Sequence, residues 1–314
     1  MIKTLVPLAA LFLIIRSPAY SQVLGADFVD HYTVSSLGSI AGVPANYGGL
    51  TFKFGDPDTL LIGGAANGGG GAVYSIGVAR DPGTGSISGF SGPAVLLANT
   101  PFIDGGLAYG PDEILFYTTY NNNTIGQIQP GSSSADKITS LTSLGVASST
   151  GSLAFVPAGF AGAGSLKVAS YSTSRIYDVP ITPDGSGAYT LGSATEVAQL
   201  TGGVEGIVYI KGGLTGNIGF SVDSMLVSEY QASTIAAYDL DANGNPIPST
   251  RRIFISSLGG AEGGTIDPVT GDFFFSTFGS GNEIIKVTGF VPEPSAAALL
   301  GIALSACLFS RRRN

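Results

Sequence analysis

The chain has 314 residues, of which 44% are hydrophobic and only 11% charged, with 47 glycines, no tryptophan and one cysteine. Its formal net charge of −8 excludes nucleic acid as a natural partner, because phosphate binding needs clustered cations. His31 and Cys307 are the sole histidine and cysteine, too few for a Ser-His-Asp, Cys-His or zinc-hydrolase plan.

At the N-terminus Lys3 precedes the apolar stretch 5–15, and Ala19-Tyr20-Ser21 offers a small-x-small cleavage site before Gln22. This is the pattern of a secretory signal peptide over residues 1–21, with Arg16 blurring the cut position. The body that follows, residues 22–290, contains nine basic and 21 acidic residues and is therefore at net −12. Such a body suits life outside the cell and attracts divalent cations. It has no cysteine, so it holds together without disulfides.

Along the body no stretch shows helical periodicity. Short runs rich in Val, Ile, Phe and Tyr alternate with Gly, Pro, Asn, Asp and Ser clusters, the all-β signature. A recurring Gly-Gly-apolar step divides it: Gly48-Gly49-Leu50, Gly105-Gly106-Leu107, Gly151-Ser152-Leu153, Glu205-Gly206-Ile207 and Glu262-Gly263-Gly264. Second strands are predicted at 59–63, 113–118, 166–170, 224–228 and 272–276, third strands at 73–78, 124–128, 175–179, 234–240 and 283–287. Fourth strands are predicted at 94–98, 138–144, 196–200 and 252–256. Four strands per unit at this period marks a β-propeller. The fifth unit runs out after three strands, and residues 31–40 read as its missing fourth, which would leave no open edge. The count is five blades, or six if one unit merges a degenerate pair; a pair of Gly-rich β-sandwiches is the competing architecture.

Three segments imitate functional motifs. Asn67-Gly68-Gly69-Gly70-Gly71 lacks the Lys-Ser/Thr of a phosphate loop and reads as low-complexity loop. Asp239-x-Asp241-x-Asn243-Gly244-Asn245 begins like a calcium loop, yet Thr250 stands where the bidentate carboxylate belongs, so it reads as a hairpin turn. His31 reads as a surface residue. Tyr117, Tyr120, Tyr171 and Tyr230 fall at second-strand ends, where rim exposure would allow sugar stacking.

The opening residues of innermost strands face the propeller axis, and there the chain offers Asp104, Glu205 and Glu262. Converging carboxylates repel unless protonated or bridged by a cation, calcium or magnesium. The trio resembles the channel metal site of sugar-lactone-hydrolysing propellers. The chain departs from that pattern at Gly48 and Gly151, and no Asn ligand is evident from sequence. A structural or solvated role is the competing reading.

The tail carries a second resemblance. Pro292-Glu293-Pro294 precedes an uncharged apolar run, residues 295–310, and then Arg311, Arg312 and Arg313. Sixteen residues at roughly 1.5 Å each nearly cross a bilayer core as a helix, and the arginines would stay cytoplasmic. Residues 291–314 resemble the PEP-CTERM sorting signal of exported proteins of Gram-negative bacteria. That resemblance implies exosortase and the secretion machinery as partners, transient anchoring in the inner membrane, and release to the cell surface or extracellular matrix. It also implies company with exopolysaccharide. A plain C-terminal anchor is the alternative. The chain is thus expected to be a monomeric, exported, noncatalytic propeller binding glycan or protein, with a metal-dependent hydrolase or lactonase as the alternative.

Overall fold

The structure, a computed structural model, describes residues 22–290. The expected signal peptide with Ala19 and Ser21, and the expected sorting tail with Pro292, Glu293, Pro294, Arg311, Arg312 and Arg313, lie outside the described residues. Among those described, no helix is long and apolar enough to cross a membrane.

Two short strands, β1 (Val23–Leu24) and β2 (Thr33–Ser36), precede the repeats. Blade 1 follows as β3 (Leu50–Lys53), β4 (Asp56–Gly64), β5 (Ala72–Arg80) and β6 (Ile87–Asn99). Blade 2 is β7 (Ile103–Tyr109), β8 (Leu115–Thr119), β9 (Thr124–Ile128) and β10 (Lys137–Ser140). Blade 3 contains β11 (Thr150–Phe155), β12 (Leu166–Ser170) and β13 (Arg175–Val179), then an inserted hairpin of β14 (Ile181–Pro183) and β15 (Tyr189–Leu191), then β16 (Thr195–Gln199). Blade 4 is β17 (Val204–Ile210), β18 (Ser224–Glu229), β19 (Thr234–Asp239) and β20 (Arg252–Ser256), and blade 5 starts with β21 (Ala261–Ile266), β22 (Phe273–Thr277) and β23 (Ile284–Thr288). All neighbours within a blade are antiparallel, so the chain forms five blades, not six and not two sandwiches.

The ring closes through the N-terminus. β2 pairs with β23 from Thr33↔Thr288 to Ser36↔Ile285, completing blade 5. β1 adds a fifth strand to blade 4 beside β20, which no sequence pattern announces because two residues carry no periodicity. Between them Phe28 and Tyr32 plug the junction of blades 4 and 5. Phe28 packs at 5.1 Å from Phe220 and 5.0 Å from Phe254, and Tyr32 at 4.4 Å from Phe290. His31 lies in the turn before β2 rather than within a strand, and it is exposed.

Five apolar clusters fill the five blade junctions. Each blade is therefore buried on both faces, and its middle strands read as continuous apolar runs instead of alternating ones. Phe273 and Phe275 enter the wedge between blades 4 and 5, whereas Phe274 enters the wedge between 5 and 1. Likewise Phe116 faces blade 3 while Leu115 and Tyr117 face blade 1. Burying one such side chain contributes about 1.5–3 kcal/mol.

Three strand boundaries differ from expectation. The second strand of blade 2 starts at Leu115, since Pro111–Glu113 form a 3-10 turn with Asp112 and Glu113 at positive φ. The fourth strand of blade 2 ends at Ser140, before a second 3-10 turn over Thr142–Leu144. The fourth strand of blade 1 runs over thirteen residues, interrupted by three register shifts against β5 that hide its pattern. Asp241 closes its turn as expected: its Oδ1 accepts from the amides of Asn243 at 2.8 Å and Asn245 at 2.9 Å.

Candidate cation site in the propeller channel

The innermost strands β3, β7, β11, β17 and β21 surround the axis. Four of them lose register with their second strands near the start: between Ile103 and Leu107, Thr150 and Leu153, Val204 and Gly206, and Ala261 and Gly264. A bulge bends the strand and re-aims a side chain. Asp104, Glu205 and Glu262 sit in three of these bulges.

Glycine permits the narrow axis. A Cβ on Gly105 would lie 2.0 Å from the Glu205 carbonyl oxygen, one on Gly151 2.0 Å from that of Val204, and one on Gly206 2.2 Å from that of Glu262. Neighbouring blades are then latched directly. The Gly49 amide donates to the Asp104 carbonyl at 2.8 Å, Thr118 Oγ1 to the Gly151 carbonyl at 2.9 Å, and Ser276 Oγ to the Gly48 carbonyl at 2.6 Å.

In this space Asp104, Glu205 and Glu262 each present a carboxylate oxygen, all within 4.8 Å of one another. The three residues are only 0%, 4% and 2% exposed. Both Asp104 oxygens, Glu205 Oε2, Glu262 Oε1 and Asn67 Oδ1 are buried without a hydrogen-bond partner. Burial pushes Asp104 up to about 8, with Glu262, Asn67 and the Gly105 amide pulling it partway back. Burial and the charges of the other two raise Glu205 well above the usual carboxylate range. Burial, then Asp104, does the same to Glu262. Three such groups cannot all be ionised together without compensation.

Asn67 is the member that sequence reasoning missed. Its place in a glycine run disguised it, yet the loop folds over the axis, where its amide donates to the Ile103 carbonyl at 2.9 Å. The signal was positional: Asn67 falls just after the second strand of blade 1. The residue directly after the second strand is Tyr120, Tyr171, Tyr230 or Phe278 in the other blades, where blade 1 has Ala65, two residues before Asn67. These four half-buried rings crown the carboxylate mouth, with Tyr171 and Tyr230 edge-on at 6.0 Å and Tyr230 and Phe278 at 6.2 Å. Burial raises the Tyr230 hydroxyl, and the charges of Glu262, Glu205 and Asp104 add to it. Tyr117 does not belong to the rim; it is buried between blades 1 and 2.

Oxygens that all lie within 4.8 Å of one another are close enough to share one divalent cation, calcium or magnesium. The donor set of carboxylates and an amide carbonyl, all oxygen, is that of a hard divalent cation.

No protein-family model and no curated protein sequence matches the chain. Solved structures resemble it at low identity. An auxiliary nutrient binding protein from Bacteroides ovatus is 12% identical over 82% of this chain and 76% of its own, with a TM-score of 0.47. The PQQ-bound aldose sugar dehydrogenase from Streptomyces coelicolor is 14% identical over 80% and 83%, with a TM-score of 0.43. A putative gluconolactonase is 12% identical over 86% and 98%, with a TM-score of 0.45. The five-blade assignment rests on the strand pairing described above.

Proposed function

We propose that the protein is an exported, noncatalytic propeller of the bacterial surface or extracellular matrix, binding glycan or protein, with a divalent cation stapling its centre. The observation that carries the cation is the convergence of three buried carboxylates from three blades, with four of their six oxygens buried and unpartnered. Asp104, Glu205, Glu262 and Asn67 would hold the ion, and it would tie blades 1, 2, 4 and 5 together at the axis. The metal-dependent hydrolase or lactonase reading draws on the same carboxylates. A catalytic ion, however, keeps an open position for water and substrate, and the enclosure of these oxygens favours the structural role. The tail supports export and sorting: Pro292-Glu293-Pro294, the apolar run and the three arginines stand in the required order.

Calcium should raise the melting temperature of the chelator-treated protein, because a ligand bound only by the folded state stabilises it by mass action. Glu205→Gln with Glu262→Gln should abolish that response while keeping the shape. Melting indifferent to calcium, magnesium and chelator would end the cation reading. Mass spectrometry of surface material should find a chain ending near Glu293, and recovery of an intact Arg311–Arg313 end would leave a plain anchor.

A further inference from the structure

Past the carboxylates the inner strands diverge, and their ends enclose a funnel of about 420 Å³ at the opposite mouth. Gly105 reaches it as part of the lining, and three blades each supply a partly exposed ring to its wall, Phe54, Tyr109 and Phe155, while Tyr209 of a fourth is buried behind it. Two of the rings are braced from behind. Phe155 meets Phe116 edge-on at 5.1 Å, and Tyr209 meets Phe160 at 5.4 Å. Phe54 meets Tyr109 at 6.0 Å and stays 56% exposed.

The polar lining is of one kind. Thr51 and Thr265 place hydroxyls among the apolar residues, and that of Thr265 makes no hydrogen bond within the described protein, whereas Ser152 in the same lining is buried. Lys53 is the only charged residue lining the funnel, and no carboxylate does so, although the body holds 21 acidic residues against nine basic ones. A pocket of this size with apolar walls and few polar groups is built for a small ligand or one end of a larger one.

We infer that the funnel is a sugar site, taking the terminal pyranose of a neutral glycan. A pyranose offers apolar CH faces to the rings and hydroxyls to the threonines. An acyl chain would leave those hydroxyls unpaired in an apolar setting, and Lys53, the one charged residue of the lining, is paired with Asp56 at 3.6 Å, so the wall favours a neutral ligand over a charged one. The inference rests on the noncatalytic binding reading above and gives it a place and a ligand class.

The test is saturation-transfer NMR and calorimetry on the full chain, with methyl glycosides and disaccharides of glucose, galactose and mannose as probes. At least one should bind, and Phe54→Ala should weaken it by about tenfold or more. Tyr230→Ala, at the other mouth, should leave it unchanged. Phe54 is exposed, so its variant keeps the wild-type melting temperature and reports binding alone. The proposal is overturned if no probe binds, if binding survives both Phe54→Ala and Phe155→Leu, or if octanoate or N-acetylphenylalanine amide displaces the sugar. Cleavage of a bound disaccharide would instead sink the noncatalytic reading and leave the funnel as the sugar site. A calcium-dependent melting curve without sugar binding would do the reverse.

Discussion

The two ends of the channel are built from the same five strands and solve opposite problems. At the strand starts the backbone is pressed together over glycine, and three carboxylates are sealed from water. At the strand ends the same blades spread, and aromatic rings occupy the space. The difference shows what sets the bore of a small propeller: five inner strands meet at the axis only where side chains are absent. A group placed there is buried whether or not its chemistry suits burial. Charge at that end is a constraint on stability, whereas the rings at the other end are free to serve binding.

Adding side-chain bulk at the narrow end is the sharpest way to break the comparison. Gly105→Ala and Gly151→Ala each drive a Cβ to within 2.0 Å of a carbonyl oxygen of blade 4. Backbone must shift to admit it, at a cost of about 1–3 kcal/mol or more. Gly55→Ala, near the wide end, meets nothing within 4 Å and pays only for its positive φ. Urea titrations should rank both axial variants far below Gly55→Ala, and equal midpoints would show that the narrow end relaxes.

Charge at the narrow end gives the next effect. The folded state raises the carboxylates above their unfolded values, so it favours their protonated forms. Stability from this source is full below the unfolded range, near pH 4, and is lost as pH rises through about 8, where Asp104 titrates. Each pH unit in that window costs up to about 1.4 kcal/mol per group. Without calcium, melting temperature should fall between pH 5 and 8 more steeply than in Glu205→Gln with Glu262→Gln, and calcium should flatten the wild-type curve. Parallel curves for the two proteins would mean that the triad does not titrate in the folded state.

Much of the narrow end was legible in sequence, and little of the wide end was. The Gly-Gly-apolar step marks the inner strands because close approach leaves no alternative to glycine, and Asp104, Glu205 and Glu262 stand out as charges inside it. Asn67 escaped notice because its role depends on a loop crossing from blade 1 over the axis. Phe278 escaped because a turn of Gly-Ser-Gly-Asn separates it from the Tyr-x-x-Ser/Asn pattern of Tyr120, Tyr171 and Tyr230. The inserted β14–β15 hairpin was hidden behind Pro183-Asp184-Gly185, which reads equally well as a simple turn. The funnel's mark went unread: Phe52, Tyr109, Phe155 and Tyr209 each stand two residues after the apolar residue of their glycine step, with only Phe54 off that register, and such a repeat looks like ordinary core. Only the divergence of the strands, a tertiary property, makes them a wall.

The smallest expected effect asks whether the two ends are independent. Asp104 faces the carboxylates while Gly105, the next residue, lines the funnel. A cation fixing Asp104 would therefore also fix part of the funnel's lining, and a sugar resting there would lose less freedom on binding. The coupling runs through one short stretch of backbone, so it should lie at the low edge of the usual range, below about fivefold in affinity. Calorimetry of the tightest-binding sugar with calcium and with chelator should show that modest gain. Reciprocity requires the sugar to raise calcium affinity by the same factor, which a calcium titration at saturating sugar measures separately. Glu205→Gln with Glu262→Gln should bind sugar equally in both conditions. A sugar affinity indifferent to calcium in the wild type would make the ends two independent sites sharing five strands, with Gly105 rigid from its glycine-packed surroundings alone.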